Sequence, residues 1–220
     1  GCSNTSGGGT GVANEDGLVV LNVASTGQPV SFDPADANLV VNEYTEYDCY
    51  DTLLDFNQDG TDVVPALAES WEQVDDLTYT YKIREGVKFS DGSDLTMDDV
   101  LYSLNRVRED AYGMSYLFEH VDSFEVDEKT RTLTVHLTQP DSTWKYVPAT
   151  TPCQILKKSV VEAEGDAYGT NEGSVVGTGP YKFVSWAADS QIVLEKNEYW
   201  WGGADNLAID KINFYVMKDA

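Results

Sequence analysis

Polar and apolar positions alternate from Thr78 to Arg84. Tyr79, Tyr81 and Ile83 fall on one side, and Thr78, Thr80, Lys82 and Arg84 on the other. A period of two is the mark of a pleated strand with one buried face. Immediately downstream the period changes: Met97, Val100, Leu101, Leu104 and Val107 recur at spacings of three and four, the apolar stripe of an amphipathic helix. Thr96 with Asp99 reads as a capping box at its start. Ser90-Asp91-Gly92-Ser93 reads as the turn between them, because glycine accepts positive φ and aspartate bonds its own backbone. A second alternation, Leu133, Val135 and Leu137, predicts one arm of a hairpin formed by residues 124–126 and 132–138. Residues 18–23 form a short apolar run, a buried strand, and residues 181–184, 192–194 and 212–216 add three more. Tyr44, Tyr47, Tyr50 and Leu54 recur at helical spacing over 42–54, and residues 157–163 read as a short helix stopped by Gly165. Helical and strand periods are thus interleaved, which predicts a mixed α/β chain.

Charge narrows the partners. Fourteen Lys and Arg face 38 Asp and Glu, a net charge of −24. Such a field repels phosphate backbones and anionic lipid, which argues against nucleic acid as a partner. The acidity fits a solvated surface, and an attraction for cationic ligands is the alternative. No run of eighteen apolar residues occurs, so no stretch of this sequence reads as a membrane-spanning helix.

Candidate chemistry is sparse. Asp55-Phe56-Asn57-Gln58-Asp59-Gly60 has the opening of a calcium loop, but the twelfth position is Ala66, preceded by Pro65, where a bidentate Glu is needed. The same residues suit a hairpin with Asp59-Gly60 at its turn, and no calcium is expected. His120 is isolated and His136 shares a strand face with threonines, so neither makes a metal site. Gly177-Thr178-Gly179-Pro180 lacks the Lys-Ser or Lys-Thr of a phosphate-binding loop. No cofactor is expected. Cys49 and Cys153 are either a disulfide or two separate thiols. Trp186, Trp200 and Trp201 are expected to pack in the core or at a subdomain seam.

Six segments carry a resemblance. Ser31-Phe32-Asp33-Pro34, Pro-Ala-Leu-Ala-Glu-Ser-Trp (65–71), Tyr-Lys-Ile-Arg-Glu-Gly-Val-Lys-Phe-Ser-Asp-Gly (81–92), Leu-Thr-Met-Asp-Asp-Val-Leu-Tyr-Ser-Leu (95–104), Val-Gly-Thr-Gly-Pro-Tyr-Lys-Phe (176–183) and Asn-Glu-Tyr-Trp-Trp-Gly-Gly (197–203) occur in the order found in family 5 extracellular solute-binding proteins. These are the dipeptide-, oligopeptide- and nickel-binding receptors of ABC importers. The resemblance runs from about Val19 to the last residue. It implies a lobe of the type II periplasmic-binding-protein fold, a mixed sheet with a smaller α+β subdomain inserted. Residues 17–45 and 175–220 would form the main-sheet part, and residues 46–174 the insertion. It also implies that the chain is an amino-terminal lobe that stops before the second lobe, and that the full protein captures a solute, most simply a peptide, for a membrane permease. Asn38, Leu39 and Val40, just after the Asp-Pro pair, match the stretch that runs beside the ligand and offers it backbone groups, a way of gaining affinity without reading side chains. The identity of the solute stays open, and the nickel branch gains no support from the two histidines.

The start, Gly1-Cys2-Ser3-Asn4 followed by Thr, Ser and three glycines, resembles a processed bacterial lipoprotein. In that reading Cys2 carries a lipid, residues 1–16 are a flexible tether, and a monomeric protein is anchored outside the cytoplasm without spanning the membrane. The alternative is an ordinary thiol. Two other functions are weighed against capture: an extracellular hydrolase such as a glycosidase, and a peptide-sensing or adhesin lipoprotein without a transport role. No acid pair sits in a recognisable catalytic motif, so no enzymatic activity is expected.

Overall fold

The structure is a computed structural model that describes residues 10–25, 31–34, 49–109, 113–187 and 190–216. Among them the chain forms two principal sheets. Strands β1 (Thr10–Glu15), β2 (Leu18–Ser25), β9 (Tyr181–Ala187), β10 (Gln191–Lys196) and β11 (Lys211–Val216) make a mixed sheet in the order β1-β2-β11-β10-β9. The β2–β11 pair is parallel and the others are antiparallel. Between β2 and β9 the chain builds an antiparallel sheet, β5-β6-β8-β7, from β5 (Ala68–Asp75), β6 (Thr78–Ile83), β7 (Val121–Asp127) and β8 (Thr132–Leu137). A small hairpin of β3 (Leu54–Phe56) and β4 (Val63–Pro65) precedes it.

The alternating segment behaves as its period requires. On β6, Tyr79, Tyr81 and Ile83 are buried, and on β8 Leu133, Val135 and Leu137 join them. Helix α1 (Met97–Arg108) lays Met97, Val100, Leu104 and Val107 against that face. The capping box forms: Thr96 Oγ1 accepts from Asp99 N (3.1 Å), and Asp99 Oδ2 accepts from Thr96 N (3.0 Å). The Asp91 turn forms as well, with Ser93 N donating to Asp91 Oδ1 at 3.0 Å. Buried Trp144 closes this first core, its Nε1 donating to the Tyr81 hydroxyl at 3.0 Å. The second core lies on the mixed sheet. Val23, Ile192, Leu194, Ile212 and Phe214 pack there with Phe32, Tyr50, Leu156, Val161 and Tyr168. The second core therefore draws residues from the long stretch between β2 and β9 as well as from the sheet itself.

Several expectations change. Thr10–Glu15 is a strand where composition suggested a tether over residues 1–16. Asp16 (φ 51°) and Gly17 (φ 81°) make the tight turn that folds β1 back on β2, and Asp-Gly is the pair that two-residue hairpins favour. Backbone pairing in a ladder is indifferent to the small polar side chains that resemble a linker. The helix expected over 42–54 does not reach its predicted end: Tyr50 is not helical and Leu54 opens β3, while residues 42–48 lie outside the described residues. Leu53 and Leu54 are both fully buried, which an extended segment between two cores permits. Leu101, placed on the apolar stripe of α1 by spacing, is only half-buried; Asp99 and Ser103 are buried instead. Cys49 and Cys153 form no disulfide with each other, because Cys49 belongs to the second core and Cys153 to the first. The Asp59-Gly60 region is a hairpin loop, organised by Asn57 Oδ1, which accepts from Thr61 N (2.9 Å) and Asp62 N (3.2 Å). Helix α2 (Lys158–Glu164) ends at Gly165 as its sequence indicates.

Two substitutions test this description by urea unfolding. Leu104→Ala, in the well-packed centre of the first core, is expected to cost about 3 kcal/mol. Thr96→Ala, which removes the cap while leaving the core intact, is expected to cost about 1 kcal/mol. Equal losses would contradict the account of α1.

Candidate functional site

The motif residues converge on the seam between the two cores, where they hold the chain on both sides of residues 35–48. Asn38, Leu39 and Val40 fall within that segment and lie outside the described residues, as does Cys2. What the structure places is the pair of anchors that flank them.

The incoming anchor is Ser31–Phe32–Asp33–Pro34, buried at all four positions. Ser31 Oγ accepts from Asp33 N at 2.9 Å, and Phe32 N donates to Gly169 O at 2.7 Å. Gly169 has φ +80°, and a Cβ there would lie 2.6 Å from Asp33 N, so only glycine fits. The Phe32 ring meets Phe183 and Trp186 edge to face, with centroids 5.1 and 5.5 Å apart. The Asp33 carboxylate is 1% exposed and is met by both ends of the Arg106 guanidinium, Nη1 to Oδ1 at 2.7 Å and Nη2 to Oδ2. A planar fork suits this task because both oxygens are neutralised in one fixed geometry.

Arg106 belongs to a second stripe of α1. Asp99, Ser103 and Arg106 follow one another at four and three residues on a face distinct from the apolar one. Asp99 Oδ1 accepts from Lys158 N (3.0 Å), and Ser103 Oγ accepts from Leu156 N (2.8 Å). One face of α1 thus builds the first core, while the other ties the incoming anchor and the start of α2 to it.

The outgoing anchor is Cys49–Tyr50–Asp51. Gly179 N donates to Cys49 O at 3.0 Å. The strand-leading Gly177-Thr178-Gly179-Pro180 runs so close that a Cβ on Gly177 would sit 2.2 Å from Cys49 O and one on Gly179 2.6 Å from Cys49 C. The glycines of this motif serve close backbone contact, which is where the likeness to a phosphate loop ends. Tyr50 OH and Tyr168 OH share a buried hydrogen bond of 2.5 Å, and burial followed by their mutual proximity raises the Tyr50 hydroxyl well above its ordinary pKa. Asp51 Oδ2 accepts from Thr178 Oγ1 (2.9 Å) and from Trp201 Nε1 (2.8 Å). The Arg84 guanidinium lies over the Trp201 ring at 4.5 Å, and its Nε donates to Ala66 O at 2.7 Å. Burial, opposed by the Trp201 and Thr178 hydrogen bonds, pushes the Asp51 carboxyl up to about 7.

The last motif locks the arrangement. Asn197 Nδ2 donates to Gly179 O (2.9 Å) and Asn197 N to Pro180 O (2.8 Å). Ser90 N, from the turn before α1, donates to Gly177 O at 2.9 Å. Four motifs far apart in sequence therefore meet within one hydrogen-bonded seam. Sequence reasoning located Trp201 in a core or a seam but missed Asp51, Thr178 and Arg106. Their signal was weak: a lone acid among 38, a threonine inside a glycine run, and a cation on a helix face that spacing assigns to solvent. His136, half-buried on β8, pairs with Glu125 at 2.9 Å and lies on the other sheet.

Comparison with known proteins agrees with this geometry. A sequence model of the bacterial extracellular solute-binding proteins, family 5 (middle region), matches residues 62–220. Dipeptide-binding protein DppE of Bacillus subtilis is 28% identical over 94% of the chain, and the Dipeptide-binding protein of Escherichia coli is 30% identical over 91%. The chain spans 41% of the length of each of these relatives. Among solved structures, the oligopeptide-binding protein AppA from Bacillus subtilis, in complex with a nonapeptide, superposes with a TM-score of 0.76 at 26% identity, covering 90% of this chain and 39% of that one. An oligopeptide ABC transporter substrate-binding domain from Bacillus anthracis shares the fold with a TM-score of 0.81 at 22% identity. With two packed sheets, the seam motifs in order and a family match over most of its length, the chain belongs to the bacterial extracellular solute-binding proteins of family 5.

Proposed function

We propose that this chain is the first lobe of the substrate-binding component of an ABC importer, which captures an extracellular solute, foremost a peptide, and hands it to a membrane permease. The observation that carries the reading is the pair of anchors that flank residues 35–48, Asp33–Arg106 before them and Cys49–Asp51 after them. A segment that offers main-chain groups to an extended ligand must itself be held, because every residue it orders on binding subtracts from affinity. Asn38, Leu39 and Val40 are the positions proposed to face the solute. The main-sheet part is assigned to residues 17–45 and 175–220 and the insertion to 46–174. Capture rather than chemistry fits relatives named for what they bind. A second lobe closing on the first would enclose the solute and bias an open-to-closed equilibrium. Cys2 is the proposed lipid attachment, holding a monomer at the outer face of the membrane. Among the described residues no helix is long and apolar enough to cross it.

One lobe covers one side of a ligand, so calorimetry of the 220-residue chain with pooled short peptides is expected to show weak binding, with dissociation constants above about 10 µM. Hydrogen exchange on the same mixture should slow within residues 35–48. Slowing confined to other regions, or cleavage of the peptides, would rule the reading out. Asp33→Asn keeps the shape of the incoming anchor but leaves Arg106 without its counter-charge. It is expected to lower stability by about 3 kcal/mol in urea unfolding and to abolish the peptide-dependent slowing at 35–48. Retention of both would show that the ion pair does not hold the segment.

A further inference from the structure

Away from the seam, the rim of the first core carries an aromatic groove that solute capture leaves unused. It lies between the helical turns Ser115–Phe118 and Trp144–Ala149 and has a volume of 540 Å³. Its apolar lining is Tyr116 and Leu117 from one turn and Tyr146 and Val147 from the other, and Glu119 and Asp141 add two carboxylates. The two turns are fixed from beneath. Phe118 and Trp144, both buried and one from each turn, meet edge to face with centroids 5.6 Å apart. A groove built on such a frame needs little ordering when it is filled. Its rings nevertheless face water. Tyr116 is 65% exposed and Tyr146 37%, and Phe56, 41% exposed, stacks on Tyr146 at 6.4 Å and extends the patch. Among the described residues the Tyr116 ring has neither an aromatic nor a cationic partner. A contiguous patch of exposed rings on a fixed frame is the composition of a protein interface.

Charge decides what fits. No lysine or arginine lines the groove. Lys145, beside Tyr146, has its ammonium 2.9 Å from Asp62 and 5.8 Å from the Tyr146 ring centroid, so the patch already holds one cation against a ring. Glu119 is exposed, with the His120 imidazole 3.9 Å away. Asp141 Oδ1 accepts from Thr143 N (2.9 Å) and Thr143 Oγ1 (2.6 Å), while Oδ2 accepts no hydrogen bond among the described residues. A free ring face beside two carboxylates is the counterpart of a guanidinium, whose plane stacks on the ring while its N–H groups donate to the acids. An ammonium has no plane to stack, and an anion meets the net charge of −24.

We propose that this groove is a docking site for an arginine side chain presented by a partner protein. The guanidinium lies against the Tyr116 ring and donates to Glu119 or Asp141, and apolar residues next to the arginine cover Leu117 and Tyr146. The groove is larger than one side chain fills, which suits a short stretch of protein better than a free amino acid. The acidic surface steers such a partner inwards, and added salt weakens the attraction. No groove residue belongs to the seam, so docking and solute capture stand or fall separately.

The test is a titration of the 220-residue chain with acetyl-Gly-Arg-Gly-amide at low salt, followed by amide NMR shifts. Saturable shifts are expected at residues 115–120 and 141–147, with a dissociation constant on the order of 1 mM, as one ring contact and one charge-assisted hydrogen bond allow. The citrulline analogue, of the same shape but uncharged, should bind about tenfold more weakly or worse. Tyr116→Ala should weaken binding about fivefold. The double variant Glu119→Gln, Asp141→Asn, which keeps every side-chain shape, should do the same and serves alone if Tyr116→Ala disturbs the fold. Free arginine, whose own carboxylate meets the same acids, should bind more weakly than the capped peptide. Equal binding of free arginine would make this a small-molecule site and overturn the docking proposal. Equal binding of the citrulline analogue, undiminished binding in the acid variant, or shifts spread over the acidic surface without saturation would overturn it too. Shifts confined to residues 31–34 and 49–51 would show the arginine taken as solute, against the groove and in favour of the function proposed above. Groove binding in a chain that takes no pooled peptide at 35–48 would uphold docking and count against solute capture alone.

Discussion

The ion pair between Asp33 and Arg106 is the constraint around which the two cores are joined. A carboxylate this far from water is costly unless a cation is fixed beside it. The pair therefore makes the short Ser31–Pro34 segment and helix α1 mutually dependent. Because α1 also carries the apolar stripe of the first core, the position of the incoming anchor is set by packing some distance away. Through Ser103 and Asp99 the same helix fixes the start of α2, whose Val161 belongs to the second core. A rotation of α1 that kept its apolar face buried poorly would displace three contacts of the other core at once.

Backbone proximity does the rest of the joining. Gly177 and Gly179 let the strand leading into β9 run against Cys49, and Asn197 closes on the opposite side of that strand through Gly179 O and Pro180 O. Side chains with a Cβ would hold these segments apart, since one on either glycine would press on Cys49 and Tyr50. The physical division of labour is clear. Apolar area stabilises each core separately, while directed hydrogen bonds and the Asp33–Arg106 ion pair tie the two cores to each other. Such polar contacts contribute modestly to net stability but penalise any alternative that leaves a buried partner unmet.

The described residues on either side of 35–48 are fixed by buried and partly buried polar contacts, Asp33 to Arg106 before them and Asp51 to Thr178 and Trp201 after them. The seam lies where a change at one residue reaches both sides. Asp51 meets the approach to β9 and the turn after β10 at a single carboxylate oxygen.

Much of the local structure could be read from sequence. The alternation at Tyr79, Tyr81 and Ile83, the Thr96 and Asp99 cap, the Gly165 stop and the strands around Leu194 and Phe214 all followed from periods and turn chemistry, which depend on neighbours along the chain. The ordered motifs likewise pointed to the family. The strand at Thr10–Glu15 was hidden because its side chains are those of a linker, and only pairing with β2 reveals it. The end of the 42–54 helix was misplaced because Leu53 and Leu54 satisfy either period and tertiary burial chose between them. Asp51, Thr178, Trp201, Arg106 and Asp33 could not be associated in advance, since Asp51 and Thr178 lie 127 positions apart and Asp33 and Arg106 73 positions apart. Sequence by itself determined which segments become strands and helices, because that choice rests on local periodicity. The three-dimensional packing alone decided which buried acid found which donor, because those partners become neighbours only when the two cores close on one another.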